Sequence, residues 1–238
     1  MKAIILAAGL GTRMQATFPF IPKSMLTIGG KPLIQDQIEY LKIFGISDFY
    51  INLHFLPKKI KGYLGDGTKM GVNIVYSFEK ELLGTSGALD NFKKKLNQSF
   101  IVLYGDIFTR LNFKQLLKFH KSKRSKATIL IHKTNHPQDS DLIEINKENQ
   151  INHIYVSPHQ TKLPQTLYSN AGIYILEPTV LQFLPKGNSD FMEDFFPLLL
   201  QNGLKIYGYF SNDYSKDIGT PKRYKEVQDH FLNEKKQV

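Results

Sequence analysis

The 238-residue sequence predicts an α/β fold, with an open, mostly parallel mixed sheet and helices on both faces. Through residue 123, short apolar runs alternate with longer amphipathic segments, an order typical of parallel strands joined by right-handed helical crossovers. After Ser125 the apolar runs follow one another closely, so we expect an antiparallel or mixed extension of the sheet there. The whole chain, residues 1–238, is predicted to form a single domain.

Apolar runs bounded by glycine, proline or polar residues predict the strands, because a strand buried in a sheet is short and apolar. The first run ends where the first glycines begin, and the run from residue 100 ends at Gly105. In chain order, the predicted strands are Ala3–Ala8, Phe49–Leu53, Val72–Ser77, Phe100–Tyr104, Ala127–His132, Leu142–Ile145, Gln150–Val156, Asn170–Leu176 and Lys205–Tyr209.

Segments with apolar residues at helical spacing predict the helices, and proline and glycine mark their ends. Pro32 and Pro57 fit a first helical turn, where the missing N–H of proline does no harm. Gly45 fits the residue after the first of these helices, where a left-handed conformation is common. In chain order, the predicted helices are Pro32–Phe44, Pro57–Leu64, Gly84–Leu96, Asn112–Ser122, Pro178–Phe183, Phe191–Leu200 and Pro221–Glu234.

The composition limits the classes of protein that remain. Lysine and arginine number 31 against 21 acidic residues, and the net charge of +10 favours anionic partners such as nucleic acid, acidic membranes or phosphorylated small molecules. The absence of cysteine excludes disulfides and cysteine–zinc sites. No signal-peptide core or apolar stretch of membrane-spanning length occurs, so we expect a soluble cytoplasmic protein.

The loop after the first strand has the composition of a phosphate-binding loop. Gly9 and Gly11 allow a sharp turn with N–H groups close to an oxyanion. Arg13 adds a fork of donors suited to phosphate oxygens, and Lys23 supplies a second cation. A dinucleotide fingerprint would need a third glycine where Met14 stands, and a P-loop needs wider glycine spacing. A glycine-rich turn with a solvated arginine is the alternative interpretation.

Two aspartates are candidate ligands of a cation. Asp106 follows a buried strand after a single glycine, Gly105, and Asp217 precedes a glycine turn and a helix that starts with proline. Carboxylates from two strand ends can hold one Mg²⁺, with substrate oxygens and waters in the remaining positions. Helix-cap or turn roles for both aspartates are the alternative, and the spacing does not show that the two meet.

Seven stretches, in order along the chain, resemble one family of enzymes. They are LAAGLGTRM, PKSMLTIGGKPLI, YLGDGTKMGVNIVYSFEKELLGTSGAL, VLYGDIF, SNAGIYIL, DFMEDFFPLLL and KDIGTPKRY, and they extend from residue 6 to residue 224. The chain resembles the sugar-1-phosphate nucleotidylyltransferases (NDP-sugar pyrophosphorylases), most of all the guanylyltransferases that act on mannose- or heptose-type 1-phosphates. The resemblance implies a Rossmann-like nucleotidyltransferase core, with a nucleotide-binding half (residues 1–125) and a sugar-binding half with a C-terminal helix (residues 126–238).

The resemblance also implies a set of site residues, of which Arg13, Lys23 and Asp106 are the expected catalytic residues. By position, it implies phosphate contacts by Gly9, Gly11, Thr12, Arg13 and Lys23; nucleoside and base contacts by Ala8, Glu81, Leu83, Gly84 and Thr85; Mg²⁺ ligation by Asp106 and Asp217; and sugar contacts by Asn170 and Gly172.

These residue types suit the implied reaction, in which a sugar-1-phosphate oxygen attacks the α-phosphorus of a nucleoside triphosphate and pyrophosphate leaves. Both reactants are anions, so catalysis consists largely of charge neutralisation and in-line placement. No general base is needed, because the attacking phosphate is already ionised. We expect Mg²⁺ as cofactor, the triphosphate and the sugar phosphate as partners, and neither nucleic acid nor membrane. A homodimer is left open.

The chain departs from the family pattern at two places. Many relatives carry Glu-Lys-Pro after the strand that corresponds to Ile151–Val156, whereas this chain has Val156, Ser157 and Pro158. Relatives also often have a tryptophan where Ser215 stands. We hypothesise that Lys216 or Lys162 supplies the missing phosphate contact.

Several alternatives to a guanylyltransferase stay open. They are a uridylyl- or thymidylyltransferase acting on another hexose or hexosamine phosphate, a cytidylyltransferase acting on a phosphorylated alcohol, and a non-catalytic subunit that binds a nucleotide sugar. A non-catalytic subunit is disfavoured by the retention of Gly11, Arg13, Lys23, Asp106 and Asp217, because binding alone does not need both carboxylates. A nucleic-acid binder is disfavoured, since no helix-turn-helix or RNA-binding signature is evident.

Overall fold

The computed structural model describes residues 1–134, 137–159 and 168–236. The strands are β1 (Lys2–Leu6), β2 (Thr27–Ile28), β3 (Lys31–Pro32), β4 (Asp48–Leu53), β5 (Asn73–Phe78), β6 (Phe100–Tyr104), β7 (Ile107–Thr109), β8 (Ala127–Lys133), β9 (Leu142–Ile145), β10 (Ile151–Tyr155), β11 (Tyr168–Leu176), β12 (Ile206–Phe210) and β13 (Ser215–Asp217). The α-helices are α1 (Thr12–Gln15), α2 (Leu33–Ile43), α3 (Pro57–Leu64), α4 (Gly84–Gly87), α5 (Phe113–Ser122), α6 (Phe196–Gln201) and α7 (Pro221–Lys236).

Shorter helical segments complete the secondary structure. The 3₁₀ helices are Lys23–Met25, Thr68–Met70, Ala88–Lys95, Pro137–Asp139 and Pro178–Phe183, and a π-helical turn, Phe191–Phe195, leads into α6. None of the helices in the described parts of the chain is both long and apolar enough to cross a membrane.

The chain divides into two compact units, each assembled from separate segments. Unit 1 comprises Met1–Leu82, Leu103–Leu111 and Asp213–Val238, and unit 2 comprises Leu83–Val102 and Asn112–Asn212. The predicted single domain, with its halves divided after residue 125, stays a prediction.

Unit 1 contains a parallel sheet formed by β1, β4 and β5. Lys2 of β1 pairs with Asp48 of β4, and Asp48 pairs in turn with Asn73 of β5, so the carboxyl ends of the three strands lie at one edge. Ile4 and Ile5 of β1 are fully buried, which explains why this strand appears in the sequence as a continuous apolar run.

Unit 2 contains a mixed sheet. β8 pairs antiparallel with β11 and parallel with β12, while β9 pairs antiparallel with β10 and β11. Beneath it, the ring of Tyr174 packs edge-on against Phe196 and tilted against Phe191, with centroids 5.1 and 4.7 Å apart. The predicted α/β class with a largely parallel central sheet and helices is confirmed.

The predicted elements match the observed ones with instructive exceptions. All the predicted strands appear, with ends shifted by at most two residues, and Gly45 follows α2 with φ +80° as expected. Pro32 lies just outside α2 in extended conformation rather than in its first turn. The predicted helix 84–96 is only four residues of α-helix followed by a 3₁₀ helix. At the start of this segment the N–H of Ser86 donates to the carbonyl of Ser189, because the first N–H groups of a helix need a partner outside it.

A buried histidine links three elements of unit 2. His120 of α5 lies with Nδ1 2.8 Å from the Thr128 hydroxyl and Nε2 3.0 Å from the Glu177 carboxylate, which also accepts from Ser99. Burial lowers the pKa of His120 more than the hydrogen bond to Glu177 raises it. Burial raises the pKa of Glu177, but hydrogen bonds from Ser99 and His120 leave it lowered. The neutral imidazole is therefore the folded form at neutral pH.

This geometry predicts acid sensitivity. Below the ordinary histidine pKa of 6.5, His120 is protonated in the unfolded chain but stays neutral in the folded one. The contribution of His120 to the free energy of unfolding is therefore lost as the pH falls from 6.5 through the lowered pKa. We expect the free energy of unfolding, measured by urea titration at pH 7.5 and 5.5, to fall less in His120→Gln than in the unmodified protein. An equal fall in the free energy of unfolding between pH 7.5 and 5.5 in the two proteins would contradict a neutral, buried His120.

Candidate active site

The loop after β1 turns at one glycine and packs against a lysine. Gly11 has φ +65° and begins α1, where its carbonyl accepts the N–H of Met14 at 2.8 Å. A Cβ at Gly11 would lie 3.3 Å from Cβ of Lys23, whereas a Cβ at Gly9 would meet nothing within 4 Å. The close turn therefore depends on Gly11, and it brings α1, with Arg13, beside Lys23.

Asp106 reaches this loop because of the glycine before it. The N–H of Gly105 donates to the carbonyl of Leu6 at 2.9 Å, and a Cβ at Gly105 would lie 2.7 Å from the same oxygen. Only glycine allows these two backbone segments to approach this closely. Asp106 then forms an ion pair with Lys23, with Nζ 2.5 Å from Oδ2, and both side chains are about four-fifths buried.

A buried glutamine holds the turn that carries Asp106. The side-chain amide of Gln37, on α2, donates to the carbonyls of Tyr104 at 2.9 Å and Ile107 at 2.7 Å, one on each side of the aspartate. Sequence reasoning missed Gln37. The signal was a polar residue within the apolar face of α2, where the side chain needs partners once it is buried.

The structure brings Asp217 to Asp106 through a short antiparallel ribbon. β7 and β13 pair with Ser215 opposite Thr109 and Asp217 opposite Ile107, and the N–H of Ile218 donates to the carbonyl of Asp106 at 2.9 Å. The two aspartates therefore lie on adjacent segments of the backbone, and Asp217 stands opposite the residue that follows Asp106. The sequence did not show this meeting, because three-residue strands carry no periodic signal.

An arginine of α7 pairs with the second carboxylate. Nη1 of Arg223 lies 2.9 Å from both oxygens of Asp217, and Oδ1 of Asp217 also accepts the N–H of Gly219 at 2.9 Å. A Cβ at Gly219 would lie 3.3 Å from Nη2 of Arg13 and 2.7 Å from Oδ1 of Asp217. Arg13, Lys23, Asp106, Asp217 and Arg223 thus form one charged cluster in unit 1, and Arg223 is the member that the sequence did not identify.

Buried polar groups support the edge of the parallel sheet next to this loop. Oδ1 of Asn52 accepts the N–H of Ala7 at 2.9 Å, and its amide donates to Oε1 of Glu79 at 2.8 Å. Nδ1 of His54 lies 2.8 Å from the carbonyl of Glu79. Asn52 and Glu79 are almost fully buried. An asparagine inside an apolar strand was the available sequence signal, and it was not used.

In unit 2, Gly84 and Thr85 contact the segment of residues 189–191. Gly84 has φ +74°, and a Cβ there would lie 2.2 Å from the carbonyl oxygen of Ser189. The Thr85 hydroxyl donates to Oδ2 of Asp190 at 2.6 Å and accepts the N–H of Phe191 at 3.0 Å. The observed contacts of Thr85 therefore hold the segment that leads into the π-helical turn, and contacts with a base stay a prediction.

Asn170 and Gly172 lie at an irregularity in β11. The register of β11 with β8 shifts between Asn170 and Tyr174, and Gly172 has φ +67°. Oδ1 of Asn170 accepts the N–H of Gly172 at 2.9 Å, and its amide donates to the hydroxyl of Tyr174 at 2.9 Å. The bulge therefore fixes the direction of the Asn170 side chain.

The remaining predicted residues are less constrained. Ala8 is buried, whereas Thr12 and Glu81 are exposed. Lys216 forms an ion pair with Glu226, and Lys162 lies outside the described residues. Leu83 of unit 2 accepts the N–H of Ser189 through its carbonyl at 3.0 Å.

Residues 2–234 match the family model described as nucleotidyl transferase. The chain belongs to the nucleotidyl transferase family. The family prediction made from the seven sequence stretches is therefore confirmed. The match covers both units, so the charged cluster belongs to the family's own fold rather than to an appended segment.

Two curated relatives show how similar this family member is to named enzymes. It is 31% identical over 227 residues to a mannose-1-phosphate guanylyltransferase of Mycobacterium tuberculosis, with 94% of this chain and 62% of the relative aligned. It is 33% identical over 237 residues to a UTP–glucose-1-phosphate uridylyltransferase of Synechocystis, with 92% and 60% aligned. The chain thus spans about three-fifths of the length of these relatives.

A solved structure supports the same fold. The crystal structure of HddC from Yersinia pseudotuberculosis complexed with GMP-PN has a TM-score of 0.79 to this chain. The two are 26% identical, and the match covers 97% of this chain and 99% of that one.

The donor chemistry of the charged cluster suits a magnesium ion. Among the described residues, no group of three or more His, Cys, Asp or Glu side chains could hold a metal by itself. Mg²⁺ commonly uses one or two carboxylates and takes its other ligands from water and substrate phosphates. Asp106 and Asp217 provide two carboxylates at one place, and each already has a cationic nitrogen within 2.9 Å. The residues present therefore fit the ion.

The close approach at Gly105 predicts a specific loss of stability. In Gly105→Ala the new methyl group meets the Leu6 carbonyl, and relieving that overlap should lower the free energy of unfolding by about 1–3 kcal/mol in urea titration. Gly62→Ala is the matched control, because Gly62 lies in α3 with open space around it and should gain up to about 1 kcal/mol. Equal stability of Gly105→Ala and the unmodified protein would contradict the argument.

Proposed function

We propose that this chain transfers a nucleoside monophosphate from a nucleoside triphosphate to a sugar-1-phosphate, forming an NDP-sugar and pyrophosphate. The proposed substrates are GTP and a mannose- or heptose-type 1-phosphate. The observation that carries the proposal is the charged cluster of unit 1, where Lys23 pairs with Asp106 beside the Gly11 turn and Asp217 lies on the next strand. The relatives' activities support the choice of reaction.

The reaction requires two anions to meet. An oxygen of the sugar phosphate forms a bond to the α-phosphorus, the bond from that phosphorus to the oxygen bridging to the β-phosphate breaks, and its electron pair leaves with pyrophosphate. Because the nucleophile is already ionised, the chain needs no residue to remove a proton. Its task is to neutralise charge and to hold the two phosphates in line.

We assign that task to residues of unit 1. Arg13 offers a planar fork of donors to phosphate oxygens, and Lys23 offers a compact positive charge. Asp106 and Asp217 would hold Mg²⁺, which, when bound, draws charge from the phosphate oxygens that it contacts. In the described structure Lys23 is paired with Asp106, so Asp106 also fixes where the ammonium group lies.

Recognition of base and sugar belongs to the same proposal. We assign the nucleoside and base to Ala8, Glu81, Gly84 and Thr85, the phosphates also to Gly9, Gly11 and Thr12, and the sugar to Asn170 and Gly172. The fixed direction of the Asn170 amide supports its role, because an oriented side chain loses little freedom when it binds a hydroxyl. A cytoplasmic location and a homodimer stay predictions, and light scattering on the purified protein tests the dimer.

The similarity to a uridylyltransferase keeps a second base under consideration, since that relative is 33% identical to this chain. A matrix of five nucleoside triphosphates against a panel of sugar-1-phosphates, with Mg²⁺ and a pyrophosphate-release readout, separates the bases. We expect the highest rate with GTP and a mannose- or heptose-type phosphate. A highest rate with UTP would show that the base is uracil and not guanine. No pyrophosphate release with any pair would refute the transfer reaction.

Two substitutions test the charged cluster. Lys23→Ala and Asp106→Asn should each reduce turnover about 10²- to 10³-fold, because Lys23 neutralises phosphate charge and Asp106 would hold the Mg²⁺ that does the same. Turnover is measured with the best pair from the matrix, and circular dichroism checks that each variant is folded. Lys31→Ala breaks an exposed ion pair with Glu39 in the same unit and serves as the control. A near-normal rate in either test variant would remove that residue from the mechanism.

A further inference from the structure

The ion pair between Arg223 and Asp217 has a geometry that its surroundings fix. Nη1 of Arg223 bridges both carboxylate oxygens at 2.9 Å, and Oδ1 also receives the N–H of Gly219. A carboxylate has about four lone-pair positions, so these contacts restrict its rotation and still leave room for one more ligand. The carboxylate of Asp217 is therefore held in one orientation before any cation arrives.

The arginine is presented from a firmly anchored helix start. The hydroxyl of Thr220 accepts the N–H of Arg223 at 3.2 Å, and its carbonyl accepts the N–H of Tyr224 at 2.9 Å. The Tyr224 hydroxyl donates to the carbonyl of Thr27 at 2.8 Å, and its ring packs edge-on against Phe18. These contacts fix the backbone on both sides of the guanidinium's attachment point.

Stability alone does not account for the pair. Its side chains are 41% and 36% exposed, and an exposed ion pair contributes little net stability. Ordering the long arginine side chain also costs rotamer freedom, which offsets that contribution. The structural effect of the contact is thus concentrated on the orientation of Asp217.

We propose that Arg223 is a positioning residue for the divalent cation, acting through Asp217 and not through the substrates. This inference rests on the proposed function, in which Asp106 and Asp217 hold Mg²⁺. Carboxylates that ligate metals are themselves held by hydrogen bonds, and loss of such a partner typically weakens metal binding about 10- to 100-fold. Arg223 fills that place for Asp217, as Lys23 does for Asp106.

Binding of Mn²⁺, a paramagnetic substitute for Mg²⁺, tests the proposal without catalysis. Free Mn²⁺ is followed by electron paramagnetic resonance on the full chain with GTP present. We expect Arg223→Gln to weaken Mn²⁺ binding about 10- to 100-fold and Arg223→Lys to recover part of the loss. Lys31→Gln, which breaks an exposed pair of the same unit, should bind Mn²⁺ normally. Normal binding by Arg223→Gln would overturn the proposal.

A double-substitution experiment checks that Arg223 acts through Asp217. In an Asp217→Asn background, Arg223→Gln should produce no further loss of Mn²⁺ affinity, because the group that it positions is already changed. At saturating Mg²⁺, Arg223→Gln should keep the KM for sugar phosphate. When Mg²⁺ is varied instead, the variant should need a higher Mg²⁺ concentration for half-maximal turnover. Additive losses, or a raised KM for sugar phosphate, would indicate direct substrate contact and refute the positioning role.

The two proposals fail in different ways. If the unmodified chain binds Mn²⁺ with nucleotide and shows the arginine dependence but transfers nothing, the proposed reaction is wrong and the positioning role stands. If the chain transfers nucleotide and Arg223→Gln binds Mn²⁺ normally, the reaction stands and the positioning role is wrong. An unmodified chain that binds no Mn²⁺ overturns the positioning role outright.

Discussion

Repulsion between two neighbouring carboxylates is the constraint on which the rest of this site depends. Two carboxylates on neighbouring strands repel each other, so such a pair needs cations. Each acid here has its own: Lys23 lies 2.5 Å from Asp106, and Arg223 lies 2.9 Å from Asp217. The close packing of the β1 loop and the Gly105 turn serves this arrangement, because it places the lysine where the first acid emerges.

Helix α7 supports the second acid along much of its length. Besides Arg223, it presents Glu226 to Lys216 of β13, and the ring of His230 stacks on Tyr214 with centroids 3.5 Å apart. Further along α7, Oε2 of Glu234 lies 3.4 Å from Nε of Arg110, which follows β7 directly. Arg110 also donates to Asp36 of α2 through both terminal nitrogens. These contacts recur every three or four residues, which is the spacing of one helix face. The ribbon that carries Asp217 is therefore braced by a single helix face.

The sequence predicted what depends on local patterns and missed what depends on tertiary contacts. Continuous apolar runs identify β1, β4 and β6, because burial on both faces removes the need for polar alternation. The loop composition identified Arg13 and Lys23 as cations, and strand ends identified the two aspartates. Arg223 and Gln37 were missed because their roles come from partners distant in sequence. The segment from Gly84 was predicted as one helix, whereas the structure has four residues of α-helix followed by a 3₁₀ helix.

Unit 1 is completed by a segment that follows unit 2 in the chain, and this order matters during synthesis. β7 receives its partner, β13, only after the ribosome has made every residue between them. At 5–20 residues per second, that interval of roughly 100 residues lasts about 5–20 s. Throughout it, the nascent chain carries Asp106 beside an unpaired strand edge, so elongation rate and chaperone access during those seconds bear on how much active protein a cell obtains.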